Sequence, residues 1–182
     1  MARLYLVRHG RAAAGFDVAD PGLDEVGRTQ AESVAMALAG LGPLPILTSP
    51  LRRTRETAIP LARAWKREPK LEPAIAEIPT PLHLDVTTRV PWLRKFMAGS
   101  WRDADPALAT WRESVIATLL AQPEDAVLFS HFIAINVGIG RVLDDDRVVV
   151  FAPDNCSVTT LESDGRTLRL IERGREAATR VN

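Results

Sequence analysis

Leu4-Tyr5-Leu6-Val7-Arg8-His9-Gly10 is the stretch that decides how this chain reads. A continuous apolar run is what a strand covered on both faces requires. The run ends on arginine, histidine and glycine, which holds an imidazole and a guanidinium at a strand end. A tight turn there brings backbone N–H groups close to an anion. Two other junctions carry matching chemistry. Pro45-Ile46-Leu47 predicts a second short buried strand, with Ser49-Pro50 as cap and first residue of a helix whose opening turn holds Arg52, Arg53 and Arg55. Val127-Leu128-Phe129 leads through Ser130 to His131 at the start of another helix. In a mainly parallel sheet all three junctions lie at the carboxyl edge, where open α/β folds bind ligands and helix N-termini add positive potential.

Outward from these junctions, strands and helices alternate. Asp24 predicts the cap of a first helix with an apolar stripe at Val26, Val34, Ala37, Leu38 and Leu41, ended by Gly40 and Gly42. The helix after Ser49 presents Leu51, Ala58, Leu61, Ala62 and Trp65 inward. Residues 70–75 predict a third strand near an edge, and residues 77–105 a loop-and-helix excursion over one face of the sheet. Asp105-Pro106 opens a helix with Leu108, Trp111, Val115 and Leu119 facing in. Strands are expected at 126–129, 148–151, 157–161 and 168–171, a central helix at 133–143, and a turn at Asp164-Gly165. Residues 173–182 read as a frayed tail. The expectation is an α/β three-layer sandwich, a mostly parallel central sheet flanked by helices, with residues 1–182 as a single domain.

Composition excludes several functions. The 23 basic and 23 acidic side chains give a net charge of zero, which argues against a nucleic-acid or anionic-membrane footprint. A single cysteine, Cys156, allows no internal disulfide and no thiolate-rich metal site. With only three histidines, no spacing resembles a catalytic metal site, so neither metal nor cofactor is expected. No apolar stretch approaches the roughly 20 residues that span a bilayer. The first strand begins within three residues of the N-terminus, leaving no room for a signal peptide, so a cytoplasmic protein is expected.

The chain resembles the histidine phosphatases, the phosphoglycerate-mutase-like superfamily. Leu6-Val7-Arg8-His9-Gly10 is similar to their signature, residues 20–31 to the segment after it, and residues 49–58 to the block with the second arginine. Ser130-His131 resembles the second-histidine block, and Asn155-Cys156-Ser157-Val158 a late strand. The resemblance implies that His9 attacks phosphorus to form a phosphohistidine, a role that suits an imidazole near neutral pH. It implies that Arg8, Arg53 and His131 hold the phosphoryl oxygens, with Arg53 favoured over Arg52 and Arg55 by its place two residues past Leu51. Glu77 stands where the family carries its general acid, with Asp85 in reserve. The expected activity is metal-independent hydrolysis of a phosphomonoester, on a small molecule or a phosphoprotein. Phosphotransfer between acceptors, or phosphate binding without catalysis, are the alternatives.

The chain departs from the family pattern at several positions. Arg11 replaces a common acidic residue, and Ala12-Ala13-Ala14 the polar neighbours frequent in mutases. Phe132 follows His131 where glycine is usual, which predicts a narrowed or reshaped pocket. Residues 78–81 lack the glycine and tryptophan often found there, which lowers the expectation of mutase chemistry. Trp92, Trp101 and Trp111 read as core or lid packing, with an aromatic substrate wall as the alternative. His83 reads as a surface residue and Cys156 as a small core residue.

Overall fold

The computed structural model describes residues 1–14, 20–82 and 84–178. Six strands form one sheet in the order β3-β2-β4-β1-β5-β6. They are β1 (Ala2–Arg8), β2 (Ile46–Thr48), β3 (Lys70–Leu71), β4 (Ala126–Ser130), β5 (Val158–Ser163) and β6 (Leu168–Glu172). β1, β2, β3 and β4 pair in parallel, and β5 and β6 add antiparallel to the β1 side. The turn between β5 and β6 has Gly165 at φ 86°, a conformation glycine adopts without strain.

Alternation along the strands divides the core in two. Val7, Val127 and Phe129 point to one face, where α1 (Glu25–Leu38) and α2 (Arg52–Trp65) cover them with Val34, Ala35, Leu38, Ala58 and Leu61. Leu4, Leu6, Ala126 and Leu128 point to the other, under α4 (Pro106–Leu120) and α5 (Phe132–Leu143). With helices on both faces, β4 is buried along its whole length, which is why it reads as an unbroken apolar run. The fold is α/β, with a mostly parallel sheet between two helical layers.

Register then fixes where the chemistry lies. Arg8 is level with Ser130 in the β1–β4 pair, so His9 and His131 are the next residues out on adjacent strands. Thr48 is level with Phe129, which carries Ser49 to the same edge. The turn after His9 fits because it crosses α1 at a glycine: a Cβ on Gly27 would lie 2.1 Å from the Arg11 carbonyl oxygen, and one on Gly10 would lie 2.6 Å from the Gly27 oxygen.

Several local expectations are corrected. α2 starts at Arg52 rather than Pro50, because Leu51 is extended and the Ser49 hydroxyl is engaged in the site. Residues 148–151 form no strand: the N–H groups of Val150 and Phe151 both donate to Oδ1 of Asn136, which takes the place of a strand partner. Only Lys70–Leu71 of the third strand pairs, since Pro73 lacks an N–H and opens a 3₁₀ turn, Pro73–Ile75. On α1 the buried stripe is Gly27, Ala31, Val34, Ala35 and Leu38, while Val26, Ala37 and Leu41 are exposed. The tail is tied down as far as Ala177, whose N–H donates to Ala152 O, and Arg175 O accepts from Asp154 N. The rest of the expected frayed tail, residues 179–182, lies outside the described residues.

Residues 77–105 fold as expected into a helical excursion, α3 (Val86–Met97), followed by a 3₁₀ turn, Trp101–Asp103. Its aromatic rings form a ladder: Trp92 on Phe96 at 5.5 Å, Phe96 edge-on to Trp101 at 5.3 Å, and Trp101 on Trp111 at 6.0 Å. These rings pack on the α4–α5 core, so the tryptophans are packing groups rather than a substrate wall.

Replacing Gly27 with alanine should destabilise the protein by about 1–3 kcal/mol, the usual cost of overpacking, because the new Cβ meets backbone that cannot swing away. Urea unfolding of Gly27→Ala measures the loss, and Gly40→Ala, which meets nothing within 4 Å, is the control.

Candidate active site

Five side chains meet at the carboxyl edge of β1, β2 and β4. The His9 N–H donates to Ser130 O at 3.0 Å, which holds the residue against the end of β4. Its ring Nδ1 lies 2.8 Å from Gly10 O. A carbonyl only accepts, so Nδ1 carries the proton and the lone pair sits on Nε2. Asn155 Nδ2 donates to the His9 carbonyl at 2.9 Å, and the Gly10 N–H donates to Thr57 Oγ1 at 3.0 Å. The turn is therefore fixed by one contact from the β5 side and another from α2.

His131 stands beside it, with ring centroids 5.2 Å apart. His131 Nδ1 lies 3.2 Å from Arg53 Nη2 and Nε2 lies 2.9 Å from Ser49 Oγ. A guanidinium only donates, so Nδ1 is the acceptor and Nε2–H donates to the serine. Arg8 donates from Nη1 to Pro153 O at 2.8 Å, and its guanidinium lies 5.1 Å from the centre of the Phe132 ring. Phe132 thus gives the first arginine an aromatic face to rest on. The Arg8 Nε is buried with no hydrogen-bond partner among the described residues.

Glu77 reaches the site through β3 and the 3₁₀ turn. The Glu72 N–H donates to Thr48 O, the Glu72 side chain caps the turn at Ala74, and Ser130 Oγ donates to Ile75 O at 2.7 Å. Two residues later, Glu77 Oε2 lies 3.9 Å from His131 Nδ1. Asp85, the reserve acid, is occupied elsewhere: its carboxylate caps α3 at Thr87 and Thr88, which lowers its pKa to about 2. Arg52 is paired with Glu56 at 2.6 Å and Arg55 is exposed, so of the three arginines Arg53 is the one at the histidines. His83 lies outside the described residues.

The electrostatics follow from burial. Desolvation, then the charges of Arg53 and Arg8, push the His9 pKa down to about 3. His131 is driven well below its usual value by desolvation first, with His9 and the same arginines adding to the effect. Burial raises Glu77 above the normal carboxyl range and outweighs the arginines, which pull it down. Both imidazoles are neutral, and the carboxyl group is biased toward its protonated form. Cys156 takes no part: it is half-buried, and desolvation pushes its thiol up to about 12.

Ser49, Thr57, Asn155 and Ser130 were not legible as site residues. Ser49 reads as a helix cap and Asn155 as the approach to a strand, and only the register shows what each one meets. The available signal was polarity at strand ends: Ser49 and Ser130 are buried there, where an unbonded hydroxyl would be costly. A groove lined by Glu25, Thr29, Asn155, Cys156 and Arg175 lies against α1 and holds none of Arg8, His9, Arg53, Glu77 or His131. Among the described residues no cluster of three or more histidine, cysteine or acidic side chains could hold a metal ion, and no helix is long and apolar enough to cross a membrane.

The sheet order and the edge that carries both histidines define a phosphoglycerate mutase-like α/β protein. Residues 4–175 match the family model of the histidine phosphatase superfamily, branch 1; the chain belongs to that superfamily and is a phosphatase-class enzyme. Among solved structures, phosphoserine phosphatase from Entamoeba histolytica in complex with 3-phosphoglyceric acid superposes with a TM-score of 0.76 at 24% identity, covering 96% of this chain and 98% of that one. A mycobacterial glucosyl-3-phosphoglycerate phosphatase in complex with VO3 gives a TM-score of 0.73 at 24% identity, covering 97% of this chain and 100% of that one. At such identities the likeness is one of fold. A PE-PGRS family protein of Mycobacterium tuberculosis is 43% identical over 79 residues, which cover 40% of this chain and 14% of that protein. The match thus spans a small part of that relative's length.

The neutral His9 sets a pH dependence. Its folded pKa lies below the unfolded value near 6.5, so its contribution to stability is complete above pH 6.5 and is lost as pH falls from there toward about 3. His9→Asn removes that loss. In buffer without phosphate or sulfate, the unfolding free energy of the variant relative to wild type should rise by about 2 kcal/mol between pH 7 and pH 5. A constant difference across that range would mean that His9 is not held neutral.

Proposed function

We propose that this chain hydrolyses a phosphomonoester through a phosphohistidine on His9 Nε2, without a metal. The observation that carries the reading is the tautomer: Gly10 O accepts a hydrogen bond from Nδ1–H, which leaves the neutral ring with its lone pair on Nε2. That lone pair attacks phosphorus while the ester P–O bond breaks. Arg8 and Arg53 hold the phosphoryl oxygens. His131 joins them by taking up a proton at Nδ1 as Arg53 turns from that nitrogen to the bound anion. Charge spread over those oxygens is what guanidinium groups and fixed dipoles stabilise. Glu77, whose hold on its proton burial strengthens, gives that proton to the departing oxygen. Its carboxylate then takes a proton from water as the water attacks phosphorus. The P–N bond breaks and the electron pair returns to Nε2. The substrate class we favour is a phosphorylated small molecule, in keeping with the relatives named for glucosyl-3-phosphoglycerate and phosphoserine.

Acid quenching after labelled substrate is added should destroy the intermediate, and alkaline quenching should preserve a phosphoenzyme that His9→Ala cannot form. Chelator should leave turnover unchanged. Phosphate on a serine or aspartate, or activity restored to chelated enzyme by a divalent ion, would overturn this route.

The acid is tested separately. A general acid contributes about 10²–10⁴-fold, so Glu77→Gln should slow alkyl phosphates by that much and aryl phosphates with good leaving groups by far less. For alkyl esters kcat should fall as pH rises through the elevated Glu77 pKa, because the protonated form is the donor, and this alkaline limb should vanish in Glu77→Gln. Equal slowing of both ester types would exclude Glu77 as the acid.

A further inference from the structure

We propose that Asn155 is a positioning residue for the nucleophile, held in place by a strap formed by residues 173–177. The role rests on the phosphohistidine reading above.

Asn155 acts on His9 through one peptide unit. Its Nδ2 donates to the His9 carbonyl at 2.9 Å, while the Gly10 N–H at the other end of that peptide donates to Thr57 Oγ1. A peptide unit is planar, so these two bonds fix its orientation and with it the place of Gly10. Gly10 O is the acceptor that keeps the proton on Nδ1 of the His9 ring, 2.8 Å away. Freeing the peptide therefore loosens the ring and the direction of the Nε2 lone pair.

The loop that carries Asn155 also grips Arg8. The Arg8 N–H donates to Ser157 O, the Cys156 N–H donates to Arg8 O, and Pro153 O accepts from the Arg8 guanidinium. The turn closed by Ser157 N–H on Asp154 O holds Cys156 at φ 54°, in the left-handed region. A residue with a Cβ stays there only where its surroundings over-determine it, and such strain gathers at functional sites.

Those surroundings include the chain that follows β6. The Asp154 N–H donates to Arg175 O at 2.8 Å, and the Ala177 N–H donates to Ala152 O at 2.9 Å. Between them Pro153 forms an antiparallel bridge with Glu176. Asp154 ties strap to turn: Oδ2 accepts from Arg175 Nε at 3.0 Å and Oδ1 from the Asn155 N–H at 2.8 Å. Arg173 lies over the Phe151 ring at 5.3 Å. Gly174 is buried so closely that a Cβ there would lie 2.9 Å from Thr159 Oγ1.

The test labels the full chain with p-nitrophenyl phosphate in a single turnover and quenches it in alkali. The rate constant reads the chemistry, and the amplitude reads the folded fraction. Asn155→Ala should lower the rate constant for phosphoenzyme formation by about 10–100-fold, the loss expected when a nucleophile is displaced by about 1 Å. Inhibition by inorganic phosphate should stay within about threefold of wild type, because Arg8 keeps its own bonds to the loop. With 15N-labelled histidine, His9 should be protonated at Nδ1 in wild type and should populate the Nε2–H tautomer in Asn155→Ala. Gly174→Val, or Ala177→Pro if the first variant fails to fold, should lower the same rate constant. Added to Asn155→Ala, the strap variant should change little more, since the two act in series. A wild-type rate constant in Asn155→Ala, with or without a fall in amplitude, overturns the proposal, as does an unchanged tautomer. Strap variants with a wild-type rate constant, or losses that multiply in the double variant, overturn the strap's part in it. A wild type that forms no phosphoenzyme overturns the phosphohistidine reading itself, and the tautomer comparison alone then decides whether Asn155 orients the ring.

Discussion

The parallel register of β1 on β4 is the constraint on which the rest of this structure depends. With Arg8 level with Ser130, both strands deliver a histidine at the same height, and the rings come to 5.2 Å. Sliding β1 by one residue would turn His9 to the opposite face and expose Leu4 and Leu6 to the wrong layer. Hydrophobic burial on two faces therefore enforces the geometry of a polar site at the strand ends. The hydroxyls and amides around it complete the arrangement, because a buried donor or acceptor left unpaired costs about 1–3 kcal/mol. Thr57 accepts from the Gly10 N–H, Asn155 donates to the His9 carbonyl, and Ser49 accepts from the Nε2–H of His131.

Charge is concentrated here although the chain as a whole carries none. Two guanidinium groups lie among two imidazoles and one carboxyl group, all withdrawn from water. Desolvation is the largest influence on each of the five. For the histidines it acts in the same direction as the arginines, and both rings stay neutral. For Glu77 the two oppose each other, and desolvation wins. The outcome is a neutral His9 and a Glu77 whose proton affinity is raised, beside two arginines. Arg8 is held by the Pro153 carbonyl and the Phe132 ring, and Arg53 by the Nδ1 of His131.

The excursion between β3 and β4 serves a different purpose from the sheet. Its aromatic ladder fuses it to the α4–α5 layer, which makes α3 a rigid support. Its polar contribution beside the histidines stands at its beginning, at Glu77. The family resemblance was weakest in this stretch, as expected where packing needs only apolar bulk and substrate recognition is free to vary.

Much of the fold was legible in the sequence because burial on both faces writes itself as short apolar runs, and helix caps such as Asp24 and Asp105 write themselves as single residues. The positions of Arg8, His9 and His131 were legible for the same reason, since each follows a run whose end can be counted, whereas Arg53 was favoured over Arg52 and Arg55 by the family resemblance. Glu77 was placed by resemblance and by its position after the third strand. Long-range pairing was not legible. That Val150 and Phe151 bond a helix side chain rather than a strand, and that Ser49 meets His131, depend on partners 14 or more residues away in the chain. The sequence alone determined which groups stand at the strand ends. The tertiary structure decided which nitrogen of each imidazole carries its proton and which carboxyl group is buried, because both depend on the partners that packing brings within hydrogen-bond reach.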